Sequence, residues 1–347
     1  MKMNKLLILV AFAALATGCT SGGGTHRKKS SGGGGGGTSG SSPTWDNYEK
    51  YYTNKQDYAG NPVADYNFRS SVGDTLMYNI HRYMIDQHKT YLRYNQVTSL
   101  FAKTDMKDNG KRETFYTAKE NGGTSREHVW CCANSNDLWY RSSQFVEHKM
   151  DDGGGPENYW GGGSDIYNLR PTTTAVNTDR KNSVFTTFTE EEKKDTTKVF
   201  SSTDGGPYKL LVSVDQKRCE IADYFKGDTA RIIMYMWIHY SSIGSYDVYY
   251  PKSTTDYNNQ KPVYSLDEAV DPAKQPGHTP IMCGNLQLTD IMGYSSVDEC
   301  KRVLKEWNRI DPPSDLEKKR NDVVEAEIQK LRNPFVDFPQ LVDRCLV

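Results

Sequence analysis

An imidazole beside a carboxylate can divide the work of activating water. The ring accepts a proton near neutral pH, and the carboxylate holds a hard cation. The chain carries this pair twice, at Glu127-His128 and at Glu147-His148. A dipeptide that recurs so readily has little weight alone; its company separates the two copies. Glu127-His128 lies inside Ser125-Arg126-Glu127-His128-Val129-Trp130. It is followed by Asp165-Ile166-Tyr167-Asn168-Leu169-Arg170-Pro171, then by Val176-Asn177-Thr178-Asp179-Arg180-Lys181-Asn182. Much later come Arg320-Asn321 and Arg332-Asn333-Pro334-Phe335-Val336-Asp337-Phe338-Pro339. Asn177 offers an amide oxygen, a ligand type that suits the same hard cation. His81, His88 and His239 fall in helical stretches and read as structural or surface residues.

In this order the motifs resemble the bacterial endonuclease I family, extracytoplasmic nucleases built on a His-Me (ββα-metal) finger. The family patterns look like R-E-H-x-W-P, D-x-H-N-L-x-P, V-N-x-x-R-x-N and R-N-P-[FY]-[IV]-D. The resemblance covers roughly residues 74–343. It implies an α+β fold, a mainly helical domain with a few short strands around the finger. It also implies His128 as general base and Glu127 and Asn177 as ligands of one Mg²⁺, with Mn²⁺ or Ca²⁺ as alternatives. Asn168 and Arg180 match motif positions and are expected to orient groups or contact substrate phosphate. The substrate class is DNA, with RNA as a second candidate, cut to a 5′-phosphate and a 3′-hydroxyl; no obligate protein partner is implied. Two positions depart from the pattern: Cys131 stands where the family has proline, and Tyr167 where it has histidine. The C-terminal Arg332–Pro339 segment reads as a packing and turn element.

Hydrolysis of a phosphodiester asks for the same residue types on chemical grounds. Water must lose a proton, a pentacovalent phosphate must be neutralised, and an alkoxide must be stabilised as it leaves. Placing Glu127 and His128 at a strand end and Asn177 on a following helix would let base and cation flank one phosphate. The elements that must do this are partly legible. Apolar residues from Leu76 to Leu92 fall mostly three, four or seven apart, which predicts an amphipathic helix from Asp74. Phe115-Tyr116 reads as a short strand, and Val129-Trp130 as a β-like piece. A helix is expected at Pro171 or just after it. Ile232–Ile238 is an apolar run, predicting a helix buried nearly all round with Asp228 as its N-cap. Asp298–Trp307 reads as a helix, and Ser314 with Glu317 has the spacing of a capping box for another. The glycine clusters at 153–155 and 161–163 lack the Lys-Ser/Thr of a phosphate loop and read as surface loops.

The leader sets the compartment. Lys2 and Lys5 precede the apolar stretch Leu6–Ala16, which ends at Ala16-Thr17-Gly18-Cys19. This is similar to a bacterial lipoprotein processing site. Residues 1–18 are then a signal peptide, and Cys19 is lipidated and tethers the protein to a bacterial membrane outside the cytoplasm; the alternative is a secreted protein. From Thr20 to Thr44, 16 of 25 residues are Gly or Ser, a composition that cannot bury enough apolar surface to order itself. Residues 19–44 are therefore read as a lipidated flexible linker. Residues 45–347 form the folded domain, with an insertion near 244–280. Apart from Cys19 there are six cysteines, an even number in an exported chain, so disulfides are expected.

The 347 residues carry 43 Lys+Arg against 44 Asp+Glu, a net charge of −1, which excludes a polycation holding nucleic acid by bulk charge. Residues 298–347 show no basic stripe either, with 10 Lys+Arg against 11 Asp+Glu. The rival reading from another class is a catalytically inactive surface binding or adhesion lipoprotein on a nuclease fold. The 23 tyrosines and the long insertion suit it, but the presence of Glu127, His128 and Asn177 together argues against it.

Overall fold

A computed structural model of the chain describes residues 43–57, 60–90, 92, 94–131, 162–240 and 286–347. The leader, Cys19, Glu147-His148, the 153–155 glycines and the 244–280 stretch lie outside these residues. Helix α1 (Tyr48–Tyr52) leads into an antiparallel hairpin of β1 (Thr53–Gln56) and β2 (Pro62–Asp65), followed by helices α2 (Gly73–Gln87) and α3 (Val97–Thr104). Strand β3 (Ser125–His128) pairs antiparallel with β4 (Leu169–Thr172), and helix α4 (Thr174–Arg180) follows at once. Next come β5 (Val184–Phe185), α5 (Glu190–Lys194), β6 (Val199–Ser202), β7 (Leu210–Ser213) and β8 (Arg218–Glu220). They form a four-stranded sheet in the order β5-β8-β7-β6, parallel only between β5 and β8. The chain closes with α6 (Lys226–Tyr240), α7 (Val297–Ile310), α8 (Asp315–Val323), α9 (Pro334–Asp337) and α10 (Gln340–Cys345). The fold is α+β, as expected. No helix among the described residues is long and apolar enough to cross a membrane.

Helix α6 is the axis of the core. Of its residues only Lys226 and Trp237 are not buried, and α2, α7 and α9 pack around it. Asp228 is not its N-cap. A 3-10 turn, Asp223–Phe225, runs straight into the helix and leaves Asp228 in the first turn, where its carboxylate accepts from Arg231 Nη2 at 2.9 Å. The helix start is capped from outside instead: Gly227 N–H donates to Asp311 Oδ2 at 3.0 Å. Helix α7 follows the sequence reading closely, with Ser296 Oγ accepting from Glu299 N–H. Its buried Cys300, Val303, Leu304 and Trp307 form one stripe. Apolar side chains buried this way contribute about 1.5–3 kcal/mol each.

At α8 only half of the expected capping box forms. Ser314 Oγ accepts from Glu317 N–H, but the Glu317 carboxylate is taken by the buried Arg231, Nε to Oε1 at 2.7 Å and Nη2 to Oε2 at 2.5 Å. A fully buried guanidinium must be paired, and that need outweighs a local cap. The C-terminal motif is a packing element. Arg332 grips Asp337 through two hydrogen bonds of 2.7 Å, Asn333 caps α9, and Tyr52 hydrogen-bonds Asp337 from the other end of the chain.

Two readings of local structure give way to tertiary contacts, and a third holds in part. The helix from Asp74 stops at Gln87, because His88 turns out of it (ψ 90°) into the core while Lys89 and Thr90 N–H donate to Gln329 O. Phe115-Tyr116 is a tight turn with Tyr116 at φ +70°, not a strand. Pro171 lies within β4, opposite Arg126, and the helix begins just beyond it under the cap of Thr173. Cys131, Cys219, Cys300 and Cys345 are buried free thiols, and Cys132 and Cys283 are outside the described residues. Among the described residues no disulfide meets the expectation.

Candidate active site

Strands β3 and β4 and helix α4 make a ββα unit that gathers the motif residues. In the pairing register Glu127 lies opposite Arg170, and His128 opposite Leu169. Alternation along β3 sends Ser125 and Glu127 to one face and Arg126 and His128 to the other. Asn177, on the second turn of α4, donates from Nδ2 to Ser125 Oγ at 2.7 Å, so it stands on the Glu127 side. Thr173 caps this helix by accepting from Val176 N–H.

Glu127 is 1 % exposed. Its Oε1 accepts from Tyr116 OH at 2.9 Å and faces Arg180 Nη1 at 3.1 Å. Burial raises the carboxyl to about 7, and Arg180 and the Tyr116 hydroxyl pull the other way. Burial and the nearby Glu127 raise the Tyr116 phenol well above its usual range, so it stays a donor. The carboxylate is therefore fixed through Oε1 and only partly compensated, and Oε2 is left to a ligand. The Asn177 amide is likewise held by its nitrogen, which leaves its oxygen. This donor set fits a hard divalent cation, which prefers oxygen and needs few protein ligands.

His128 closes β3. Its Nε2 contacts Gly163 O at 2.7 Å, and since a carbonyl only accepts, the ring proton sits on Nε2 and the lone pair on Nδ1. The ring stacks on Tyr94 with centroids 5.3 Å apart, and the Arg126 guanidinium lies over Tyr94 at 3.8 Å while donating to Tyr94 O. The crowded surroundings lower His128 to about 4, with the Arg180 and Arg126 charges acting in the same direction. The imidazole is therefore neutral, and able to accept a proton, across the physiological range.

Arg180 and Asn168 hold backbone. Arg180 is 1 % exposed, donates to His128 O and Val129 O at 2.9 Å each, and faces Glu127, so the end of β3 is tied to α4. Asn168 is fully buried. Its Oδ1 accepts from Trp130 N–H at 2.7 Å, and its Nδ2 donates to Trp130 O and Gly162 O. Of the two roles expected for these residues, orienting groups or contacting phosphate, their burial and hydrogen bonds favour the first. The motif departures are absorbed locally. Tyr167 sends its hydroxyl to Asn321 and Leu331 O and accepts from Asn333 N–H, which joins the site to the C-terminal motif. Cys131 donates to Asn182 Oδ1.

Tyr94, Tyr116 and Gly163 are the participants that sequence reasoning missed. None lies in a motif, and each reaches the site only through the fold. His88 and His239 are deeply buried and lie together with Asp165.

Comparison with known proteins places the chain beside known nucleases. The family model described as Endonuclease I matches residues 67–266 and 289–340. Its break falls within and just beyond the stretch read as an insertion. The chain is 28 % identical over 282 residues to an extracellular ribonuclease of Bacillus subtilis (strain 168), covering 78 % of this chain and 74 % of that protein. It is 27 % identical over 284 residues to an extracellular ribonuclease of Bacillus amyloliquefaciens, covering 78 % and 73 %.

Proposed function

Because the chain belongs to the endonuclease I family, we propose that it is an extracytoplasmic nuclease using His128 as general base and one divalent cation, Mg²⁺, held by Glu127 and Asn177. The observation that carries this reading is the ββα unit itself, in which Arg180 ties the His128 backbone and the Glu127 carboxylate to the helix bearing Asn177. The substrate is a nucleic acid backbone, DNA and also RNA, read with little sequence preference. The ribonuclease names of the relatives support including RNA.

In the reaction, His128 Nδ1 takes a proton from water, the water oxygen bonds to phosphorus, and the bond to the 3′ oxygen breaks as that oxygen takes a proton from solvent. This leaves a 5′-phosphate and a 3′-hydroxyl. The hydrogen bond to Gly163 O and the stack on Tyr94 hold the ring so that only Nδ1 can serve. A bound hard cation supplies positive charge to the phosphate oxygens and the departing oxygen. Tyr116 and Arg180 fix Glu127 against rotation, and Asn177 is fixed by Ser125. Sequence preference is low because the groups assigned here address phosphate and water and not base edges. We further propose that Cys19 is lipidated and that the linker holds the domain off the membrane.

The test is cleavage of supercoiled plasmid and of single-stranded RNA by the full chain, with Mg²⁺ and with EDTA. Cutting of both that stops in EDTA is expected. Cutting that persists in EDTA would remove the cation from the scheme, and inertness toward both polymers would end the nuclease reading.

A further inference from the structure

Behind the segment that carries Gly163, three buried groups from distant parts of the chain converge. They are His88 at the end of α2, His239 in the last turn of α6, and Asp165 ahead of β4. Each can turn one ligand atom to within 4.8 Å of the others. Asp165 accepts from Tyr235 OH at 2.8 Å and Tyr240 OH at 2.6 Å on Oδ2, and from Tyr167 N–H on Oδ1. No lysine or arginine among the described residues pairs with it, although it is only 2 % exposed. A buried carboxylate without a cation is costly. Its neighbours do not compensate it, since both imidazoles are themselves buried and burial disfavours their charged forms.

The hydrogen bonds around the histidines point the same way. Gln329 Oε1 accepts from Ile166 N–H, which orients its amide so that Nε2 donates to His88 Nε2 at 2.7 Å. His88 must then carry its proton on Nδ1 and donate to His239 Nε2 at 2.9 Å. That forces the His239 proton onto Nδ1, a buried nitrogen with no hydrogen-bond partner. The metal-free arrangement thus holds both imidazoles neutral, with His88 Nδ1 facing His239 Nε2, and leaves the carboxylate beside them uncompensated.

We propose that His88, His239 and Asp165 form a structural site for a zinc-class transition-metal ion, separate from the hydrolytic cation. Two imidazoles and a carboxylate suit zinc, whereas Mg²⁺ and Ca²⁺ want oxygen alone. Ligand atoms at about 2.1 Å from a tetrahedral ion lie about 3.4 Å apart, so the three groups draw closer together on binding. The proton of His88 moves from Nδ1 to Nε2, and the Gln329 amide turns so that its oxygen accepts it, giving up the bond from Ile166 N–H. The ion neutralises Asp165 and pins together α2, α6 and the turn that presents Gly163 to His128. The site does not depend on the hydrolytic assignment, and its occupancy is read without any cleavage assay.

The experiment uses the full chain, unfolded in denaturant with chelator, freed of both, and refolded with or without one equivalent of Zn²⁺ or Co²⁺. Expected are about one Zn²⁺ retained per chain after gel filtration, and a melting temperature several degrees above that of the metal-free sample. Mg²⁺ should give no such shift, and Co²⁺ should give visible absorption bands. His239→Gln and Asp165→Asn should lose retention and bands, while the Glu127→Gln, His128→Ala double variant keeps both. Loss of the metal in that double variant would assign it to the hydrolytic site and overturn the proposal. So would wild-type protein that retains no Zn²⁺ and melts identically with and without it. If the His239 and Asp165 variants do not fold, the wild type and the double variant decide the matter alone.

Discussion

His128 and Glu127 are neighbours in sequence, yet they face opposite sides of β3 and are supported by different parts of the chain. Replacing His128 with Ala removes the proton acceptor, so the single-turnover rate on supercoiled plasmid should fall by about 10²–10⁴. Circular dichroism should be unchanged, because the backbone pairing of β3 with β4 does not depend on the ring. His148→Ala, the same dipeptide without the surrounding motifs, should cut near the wild-type rate; equal damage there would mean the wrong pair was chosen. Tyr116 acts one step further out. Its hydroxyl fixes Glu127 Oε1 at 2.9 Å, and a partner of this kind typically sets cation affinity by about 10–100-fold. Tyr116→Phe should therefore raise the Mg²⁺ concentration for half-maximal rate by that order and leave the saturated rate close to wild type. A uniform loss of rate at every Mg²⁺ concentration would give Tyr116 a merely structural role.

The elements around the site are held by close backbone approaches as much as by propensity. The turn leading into β3 passes so near β4 that a Cβ on Gly123 would lie 2.2 Å from Thr172 O, and Gly123 has φ +74°. A side chain there strains the backbone, which costs about 1–3 kcal/mol before any clash is counted. Gly123→Ala should thus lower stability in urea titration by at least that much and reduce activity by displacing β3. A variant as stable as wild type would show that the turn can move without cost. A separate turn, at 115–117, explains why Phe115-Tyr116 is no strand. Phe115 N–H is already bound to Pro171 O, and Tyr116 adopts a left-handed conformation to aim its hydroxyl at Glu127.

For the molecule as a whole, buried neutral imidazoles make the fold sensitive to acid. His81 is buried, with its Nδ1 proton on Ile238 O at 2.6 Å, and burial lowers it to about 4. Its unfolded value is near 6.5, so the unfolded chain binds the extra proton first. The contribution of His81 is complete above about pH 6.5, shrinks as pH falls, and is gone once pH passes about 4. Melting temperature should drop across that window, and His81→Asn, which keeps an N–H near the Nδ1 position, should flatten the drop. An identical pH profile for the variant would exclude His81 as a source. At the other end of the chain, Cys19→Ser should release the protein from the membrane fraction or block its processing. A variant that is processed and retained like wild type would refute the anchor.

The proposed chemistry is read from the sequence because it depends on residue type and order. The motifs around Glu127, His128 and Asn177 name a base and oxygen ligands whatever the surrounding packing, and the periodicity of α2, α6 and α7 is written in their apolar stripes. The capping of α8 was legible only by half, and that of α6 not at all. Local spacing suggested Glu317 and Asp228, but a buried Arg231 claims both carboxylates, and Asp311 caps α6 from another segment. Only the tertiary structure favoured an orienting role over a phosphate contact for Arg180 and Asn168, because burial, which no motif encodes, decides whether a polar group faces water or protein. It alone brought Tyr94 and Tyr116 to the site and set His88 beside His239, 151 positions away. Contacts at that range depend on how helices pack, and packing is fixed by the shape of the whole core and not by any window of sequence.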